Sequence, residues 1–226
     1  MGTFKVQDLS FRYKNQDALI VNNFSMEVKR GEIVALVGPS GSGKSTILRL
    51  LSGLEKPSAG IIKNETGVIY DNNTNLEPQK RNIGMIFQDY ALFPHLTVLE
   101  NVKFGIKGKK SERTKQALYY LKKVQMTEHA NKYPHQCSGG QQQRIAIARA
   151  IATKPQVLLL DEPFSNLDAS LRSVVRKEIR NIIKDENISA VLVTHDKDDV
   201  DACADRMIDC LSTNCQCSWK NPDLIN

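Results

Sequence analysis

The sequence predicts an α/β fold with a parallel β-sheet at its core, and three observations support this prediction. Short apolar runs such as "QVLLLDE" and "ISAVLVTH" are typical of strands that are buried on both faces of a parallel sheet. Segments with helical periodicity alternate with these strands, and this order implies right-handed crossovers between parallel strands. From Val98 to Thr153 the periodicity is helical throughout, so we expect an α-helical subdomain inserted into the core.

The N-terminal part is predicted to be mostly β, which indicates an antiparallel β subdomain in front of the parallel core. Alternation of polar and apolar residues and the flanking turn signals predict strands, and a glycine marks the end of the first helix. In chain order, the predicted strands are "TFKVQDLSFRY", "FSMEV" and "GEIVALVG". The predicted helix "GKSTILRLLSG" follows them. After it, a hairpin-rich stretch leads to the strand "NIGMIFQ", which ends at Gln88.

Three helices are predicted in the insertion, and strand–helix alternation resumes at Lys154 and Pro155. The inserted helices correspond to "TVLENVKFGI", "TKQALYYLKKVQM" and "QQQRIAIARAIA". After the strand "QVLLLDE" comes a long helix, then "ISAVLVTH", the short helix "DKDDVDACA" and a last strand or two from "RMIDCL". The apolar stripe predicted on the long helix consists of Leu167, Leu171, Val174, Val175, Ile179, Ile182 and Ile183.

The composition is that of an ordinary globular protein, with 226 residues, 41% hydrophobic and 25% charged residues and a formal charge of +6. No run approaches eighteen apolar residues, and the start of the chain lacks the apolar core of a signal peptide, so we expect neither a membrane span nor a targeting segment. The basic stretch "KFGIKGKKSERTK" has no interleaved aromatic residues, which favours a solvated surface over a nucleic-acid-binding patch.

Five cysteines are present, and an odd number does not indicate a secreted disulfide framework. A reducing cytosol is therefore the expected environment. Cys215 and Cys217 have the wrong spacing for a zinc site, and we interpret them as alternating positions along a short terminal strand.

A phosphate-binding loop is predicted from "GPSGSGKST", which matches the pattern G-x-x-x-x-G-K-[ST] between a strand and a helix. Its glycines allow backbone N–H groups to surround phosphates, and the helix N-terminus adds partial positive charge. We expect Lys44 to reach the β- and γ-phosphates and Ser45 to offer its hydroxyl to Mg²⁺. The loop predicts a P-loop NTPase, without choosing among kinase, GTPase and ATPase, with binding residues Gly38, Pro39, Ser40, Gly41, Ser42, Gly43, Lys44, Ser45 and Thr46.

Two adjacent acids, Asp161 and Glu162, end a predicted buried strand, where α/β folds place their ligands. Asp161 is suited to hold Mg²⁺, directly or through water, and Glu162 to orient and polarise an attacking water. An acidic helix cap is the alternative, but Pro163 and the "FSNLD" loop separate the pair from the next helix. A carboxylate beside Asp161 favours hydrolysis over transfer to another acceptor, because it supplies a base for water.

Six motifs occur in one order, and together they resemble those of an ATP-binding cassette (ABC) ATPase, the nucleotide-binding subunit of a membrane transporter. The resemblance covers nearly the whole chain, and it implies a single ABC ATPase domain over 1–226. Residues 1–88 and 154–226 would form the catalytic core with the β subdomain, and 89–153 the helical subdomain. The motifs are the phosphate loop at 38–46, Gln88 after a strand, "SGGQQQR" at 138–144, "LLLDEP" at 158–163, "SNLD" at 165–168 and His195.

In that family the second glycine-rich helix start, the signature motif, closes over the ATP that a partner subunit holds. Ser138 and the N–H groups of Gly139 and Gly140 offer hydrogen bonds, and a helix that begins near Gln141 directs positive charge towards the γ-phosphate. A simple helix cap would account for Ser138 alone. The resemblance therefore implies a head-to-tail dimer of two copies around two ATP molecules.

The resemblance also implies roles for residues outside the phosphate loop, the Asp161–Glu162 pair and the signature motif. Gln88 would sense the metal and the lytic water and link the core to the helical insertion. Asp168 would lie in the loop that crosses the dimer interface. The implied nucleotide-binding residues outside the phosphate loop are Tyr13, Ser138, Gly139, Gly140, Gln141 and Asp168. His195 would hydrogen-bond the γ-phosphate and hold the water with Glu162. The implied catalytic residues are Glu162, His195 and Gln88, and the implied metal ligands are Ser45, Gln88 and Asp161.

Two positions are less well determined by the resemblance. Tyr13 is chosen as the residue that stacks on adenine, although Phe11 has the same strand parity. Cys137 stands where the family usually has leucine in front of "SGGQ". We expect altered packing there and a site that is sensitive to oxidation.

The segment "RNIGMIFQDYALFPHLTVLENVKFGIK" resembles importer subunits for ferric iron above all, and also for polyamines, sulfate or sugars. This implies integral-membrane permease subunits as partners, a solute-binding protein as an indirect partner, no nucleic acid, and a place at the cytoplasmic face of the membrane. Many such relatives carry a C-terminal regulatory β-domain, which we expect this sequence to lack.

The segment after Gln88 contains three apolar residues that line either an exposed groove for a permease helix or the insertion's own core: Leu92, Phe93 and Leu96.

The alternative function is a soluble ABC ATPase that acts on nucleic acid or ribosomes. Such proteins usually have a coiled-coil insertion or two cassettes in one chain, and neither is evident in this sequence.

Overall fold

The computed structural model of the protein describes residues 3–14, 18–210 and 218–220, and it contains two β-sheets and six α-helices within these ranges. The strands are β1 (Thr3–Phe11), β2 (Val21–Lys29), β3 (Ile33–Val37), β4 (Ala59–Asn64), β5 (Gly67–Tyr70), β6 (Ile83–Ile86), β7 (Val157–Asp161), β8 (Ser189–Val193), β9 (Arg206–Asp209) and β10 (Ser218–Lys220). The helices are α1 (Lys44–Ser52), α2 (Val98–Lys103), α3 (Lys110–Lys123), α4 (Gly139–Ala152), α5 (Ala169–Asp185) and α6 (Lys197–Cys203).

The larger sheet has the strand order β10-β9-β3-β8-β7-β6, and all of its pairs are parallel except β9 with β10. The smaller sheet has the order β2-β1-β4-β5 and is antiparallel throughout. Together with the helices, this arrangement confirms the predicted α/β class with a parallel core, an N-terminal antiparallel sheet and inserted helices. The predicted alternation at Cys215 and Cys217 lies outside the described residues.

Two apolar clusters hold these layers together. One joins α2, α3, α4 and α5 to one face of the parallel sheet, and the other joins the antiparallel sheet and α1 to the opposite face. All five residues of β8 are buried, as expected for a strand that is covered on both sides. The carboxyl ends of the parallel strands therefore reach one edge of a rigid, doubly covered sheet.

The stripe predicted on α5 is wrong at two positions. Val175, Ile179 and Ile183 are buried, but 42% of Leu171 and 50% of Val174 are exposed. Successive residues on a helix point about 100° apart, so Val174 lies at the edge of the stripe when Val175 faces the sheet. Leu171 is one turn before Val175 on the same face and lies in the first turn of α5, at the N-terminal end of the helix.

A buried arginine connects the helix that follows the phosphate loop to the strand that leads to Gln88. Arg81 is 1% exposed, and one of its terminal nitrogens donates to the carbonyl oxygens of Leu50 and Leu51 at 2.8 and 2.9 Å. Burial lowers the pKa of this guanidinium. Its hydrogen bonds serve the last turn of α1, where the carbonyl oxygen of Leu50 also accepts from Gly53 N–H at 3.3 Å. Arg81 therefore fixes the end of α1 against the entrance to β6.

Candidate nucleotide-binding and hydrolysis site

The phosphate loop connects β3 to α1 and depends on glycine for its shape. Gly43 is the N-terminal cap of α1 and has a left-handed conformation, with φ of 87°. A Cβ added to Gly38 would lie 2.6 Å from the carbonyl oxygen of Cys210, which is too close for any side chain. The backbone of the loop can therefore curl in front of the helix only with glycine at these positions.

The ammonium group of Lys44 is buried beneath this loop. Its Nζ donates to the carbonyl oxygens of Gly38 and Pro39 at 2.8 and 2.7 Å and to Ser42 Oγ at 3.3 Å. Within the part of the chain that the structure describes, no carboxylate forms an ion pair with it. A buried cation without an acidic partner favours an anionic ligand, because burial without a counter-charge is costly.

Ser45 and Asp161 bring the phosphate loop and β7 together. Ser45 Oγ donates to Asp161 Oδ1 at 2.8 Å. Burial raises the pKa of Asp161, although the hydrogen bond from Ser45 acts in the opposite direction. Hydroxyl and carboxylate oxygens are the ligands that Mg²⁺ prefers, so this pair fits the ion. Among the described residues no group of three or more His, Cys, Asp and Glu side chains is arranged to hold a metal alone.

Glu162 and His195 meet directly beyond the ends of two neighbouring strands. Asp161 of β7 pairs with Val193 of β8 in the sheet register, and His195 Nδ1 lies 3.3 Å from Glu162 Oε1. Glu162 has φ of 44° and donates its N–H to the carbonyl oxygen of Val193 at 3.0 Å. A non-glycine residue in this conformation costs about 1–3 kcal/mol, and such strain is concentrated at functional sites. The turn therefore directs the carboxylate towards the histidine.

Gln88 and Asp168 lie near this edge with exposed side chains. The carbonyl oxygen of Gln88 accepts a 2.9 Å hydrogen bond from Asn166 Nδ2, which joins the segment after β6 to the "SNLD" loop. Asp168 occupies the N-terminal cap position of α5, yet its side chain makes no capping hydrogen bond. Asn166 was not among the predicted site residues, although its position inside the "SNLD" motif was a signal for it.

The signature motif begins α4 two residues earlier than predicted, at Gly139 instead of near Gln141. The reason is a reciprocal cap: Gln141 N–H donates to Ser138 Oγ at 3.3 Å, and Ser138 N–H donates to Gln141 Oε1 at 2.9 Å. Gln141 Nε2 also lies 3.1 Å from a ring nitrogen of His129. The Gln141 side chain is therefore engaged within the subunit.

Packing within the described part of the chain does not require glycine at either position of the signature motif. A Cβ on Gly139 would come no closer than 3.6 Å to another atom, and one on Gly140 no closer than 3.8 Å, which are ordinary contacts. Both residues lie inside a right-handed helix, where glycine costs about 1 kcal/mol relative to alanine. In the described residues no hydrogen bond or ion pair joins this helix start to the phosphate loop of the same chain.

Comparison with known proteins agrees with this geometry. A family model described as ABC transporter matches residues 21–165. The chain belongs to the ABC transporter family.

Three curated ABC proteins illustrate the similarity. The Fe(3+) ions import ATP-binding protein FbpC of Fusobacterium nucleatum subsp. nucleatum is 44% identical over 90% of this chain and 54% of its own length. The spermidine/putrescine import ATP-binding protein PotA of Nitratidesulfovibrio vulgaris is 44% identical over 85% and 52%, respectively. A probable sulfate/thiosulfate import ATP-binding protein CysA of Chlorella vulgaris is 46% identical over 84% and 80%. The chain thus spans about half the length of most of these ABC relatives.

A solved ABC structure is similar over nearly the whole chain. It is described as a dimeric structure of a post-hydrolysis state of the ATP-binding cassette MJ0796 bound to ADP and Pi. Its sequence is 34% identical to this chain, the TM-score is 0.78, and the match covers 91% of this chain and 93% of that one.

Of the two aromatic residues considered for adenine in this ABC protein, Tyr13 is the accessible one. Phe11 ends β1 and is buried, whereas Tyr13 follows the strand and is partly exposed. Their rings meet edge to face, with centroids 4.8 Å apart. Phe11 therefore supports Tyr13 from the core side.

The structure argues against the expected oxidation sensitivity of Cys137. The thiol is buried, its Sγ lies 3.7 Å from the carbonyl oxygen of Tyr133, and burial raises its pKa. The thiolate is the form that reacts, and burial suppresses both thiolate formation and access. Cys137 thus acts as a small apolar packing residue in this ABC protein.

Proposed function

We propose that the protein hydrolyses ATP as the nucleotide-binding subunit of an ABC importer, in a dimer of two head-to-tail copies. The observation that carries this proposal is the 3.3 Å contact between Glu162 and His195, beside the phosphate loop and the Ser45–Asp161 pair. A carboxylate that is oriented by a histidine next to a triphosphate site is suited to activate water.

In this proposal each group around the nucleotide has a separate role. Lys44 and the N–H groups of the loop bind the β- and γ-phosphates, and Tyr13 stacks on adenine. Ser45, Asp161 and Gln88 would hold Mg²⁺, which when bound neutralises charge on the phosphate oxygens.

Hydrolysis then follows from the residues at the ends of β7 and β8. Glu162 accepts a proton as the water oxygen attacks the γ-phosphorus, while His195 holds the water and the γ-phosphate. The bond between the γ-phosphorus and the bridging oxygen breaks, and ADP leaves with the electron pair.

The signature motif of the second copy would complete each site. Ser138 Oγ uses a lone pair for the helix cap, and within the described residues its proton is not used in a hydrogen bond, so it can donate to a phosphate oxygen. Gly139 and Gly140 allow a ligand to approach their N–H groups closely. In this proposal, that approach is the reason for glycine at two positions where the chain's own packing does not require it. We propose that Gln141 maintains this arrangement and that Asp168 lies across the same interface.

Dilution tests the composite site. We expect ATP turnover per chain to fall as the protein is diluted in the presence of excess carrier protein, because separate copies have only half of each site. The ATPase rate is measured from micromolar to low nanomolar protein, and the carrier excludes losses to surfaces. Turnover per chain that is constant over this range would contradict the dimeric site.

For the transported substrate we propose ferric iron, with polyamine, sulfate or sugar as alternatives within the same class. The names of the similar proteins describe import subunits, which supports this role, and two relatives with 44% and 42% identity are named for Fe(3+) ions. We propose 1–226 as one ABC ATPase domain, with a catalytic core of 1–88 and 154–226 and a helical subdomain of 89–153. No helix in the described ranges has the length and apolar character needed to cross a bilayer.

We propose that membrane permease subunits dock on the helical subdomain, at the cytoplasmic face of the membrane. A solute-binding protein would then be an indirect partner. No feature of the described residues favours the alternative of a soluble ATPase that acts on nucleic acid.

The segment after Gln88 contains residues that fit each of the two interpretations. Leu92 packs against the core of the insertion. Phe93 instead forms a pair with Phe104, at a centroid distance of 4.5 Å, and 61% of Phe104 is exposed. Asn101 holds the turn by accepting from Phe93 N–H at 2.8 Å and donating to the carbonyl oxygen of Leu96 at 3.0 Å. An ordered aromatic surface suits a short permease helix.

A crosslink tests this docking surface. We expect Phe93→Cys, co-expressed with permease subunits that carry single cysteines in their cytoplasmic loops, to form a disulfide with one of them. Tyr119→Cys is the control, because Tyr119 is 53% exposed on α3 and is not part of the Phe93–Phe104 pair. Equal crosslinking of both variants, or of neither, would contradict docking at Phe93.

A further inference from the structure

Two arginines one turn apart on α5 face the loop that carries His195. Arg176 is buried, and its guanidinium bonds Asp199 through Nε at 2.6 Å and Asp196 at 2.8 Å. Asp199 is buried as well and accepts a hydrogen bond from Thr194 Oγ1, which in turn accepts from the N–H of Asp196 at 3.0 Å. The residues on both sides of His195 are therefore fixed from α5.

Arg172 connects this loop to a second one. One terminal nitrogen donates to the carbonyl oxygen of Leu167 at 3.0 Å, and the other lies 3.4 Å from Asp196 Oδ2. Leu167 immediately precedes Asp168, and Asp196 immediately follows His195. The planar guanidinium has a fixed geometry, so a shift of either loop is transmitted to the other.

We propose that Arg172 is a positioning residue that couples the loop of Asp168 to His195; this inference rests on the proposed dimeric ATPase. In the dimer, Asp168 approaches the nucleotide of the partner, whereas His195 serves the nucleotide of its own subunit. When closure sets the loop of Asp168, Arg172 moves Asp196 and thereby orients His195 against Glu162. Each subunit consequently hydrolyses its ATP only when its own loop is engaged with the partner.

If Arg172 only stabilised the fold, its replacement would have different consequences. The Arg172 side chain is 30% exposed, and ion pairs at this exposure contribute about 0–1 kcal/mol to stability. Arg180 offers a matched control on the same helix, with 33% exposure and a 2.7 Å ion pair to Asp205, which is remote from His195 in the sequence. If the arginines only stabilise the fold, Arg172→Met and Arg180→Met should have the same effects.

The test uses mixed dimers in which one copy carries Glu162→Gln, so that only the other copy hydrolyses ATP. Copies with different affinity tags are purified as pairs, and the single-turnover hydrolysis rate is measured by rapid quench. Arg172→Met is introduced into either the active or the inactive copy. With Arg172→Met in the active copy we expect about a tenfold lower rate, within the range of coupling energies known for such networks, with unchanged ATP affinity. In the inactive copy the same substitution should leave the rate near the parental value, because Arg172 of that copy orients only its own His195.

Three further measurements make the result decisive. Arg172→Lys should not restore the rate, because one ammonium group cannot span Leu167 and Asp196. Arg180→Met should retain the parental rate, and the thermal midpoints of the two methionine variants should agree. A normal rate with Arg172→Met in the active copy, an equal loss with the substitution in the inactive copy, or an equal loss with Arg180→Met would overturn the inference. If the wild-type homodimer does not hydrolyse ATP, the proposed function itself fails.

Discussion

Replacing Glu162 by glutamine is expected to lower steady-state ATP hydrolysis about a thousandfold, which is typical for the loss of a general base, while ATP binding persists. The amide has the same shape as the carboxylate and can still contact His195, but it cannot accept a proton from water. The substitution also removes one negative charge near the γ-phosphate. We therefore expect ATP to trap the variant as a closed dimer, which gel filtration with ATP measures.

Glu186→Gln is the matched control for this variant. Glu186 has a similarly exposed side chain, 18% compared with 24% for Glu162, and it pairs with Lys123. It lies before β8, whereas His195 lies beyond the other end of that strand. Normal turnover is expected for Glu186→Gln. A Glu162→Gln variant that keeps more than a tenth of the wild-type rate would show that another group is the base.

The sequence predicted these residues because their chemistry requires fixed residue types next to recognisable strands. Buried apolar runs identified β7 and β8, and each run ends at the residues in question. Parallel pairing brings the carboxyl ends of such strands to one edge, so Glu162 and His195 meet even though 33 positions separate them. Lys44 and Ser45 follow from a motif whose spacing is dictated by the phosphate groups.

The features that were missed depend on contacts between distant segments. Nothing local in the sequence indicates that Arg172 reaches both Leu167 and Asp196, because the angle at which α5 lies on the sheet decides it. Periodicity likewise could not determine which of Val174 and Val175 faces the core. The altered packing expected at Cys137 agrees with its burial, and this burial argues against oxidation sensitivity because it raises the pKa of the thiol.

Ser138→Arg is expected to abolish the ATP-dependent dimer and to reduce hydrolysis at least about a hundredfold, since the catalytic groups of the second copy can no longer assist. A long cationic side chain would occupy the space in front of α4, where the proposed dimer places the phosphate of the partner's nucleotide. Binding of ATP to the monomer should remain, because Lys44 and its loop lie elsewhere in the chain. Gel filtration with ATP in the Glu162→Gln background and equilibrium binding of a labelled nucleotide measure the two effects.

Thr97→Arg separates this steric effect from the loss of a helix cap. Thr97 caps α2 with the same reciprocal arrangement, in which its Oγ1 accepts from Glu100 N–H at 3.2 Å and its own N–H donates to Glu100 Oε2 at 3.0 Å. Each substitution removes a cap worth about 1 kcal/mol, so both variants should lose similar stability. Only Ser138→Arg should prevent dimerisation, because a cap by itself does not require the two glycines that follow Ser138. If the two variants dimerise and hydrolyse ATP equally well, the helix start of α4 has no role beyond its own subunit.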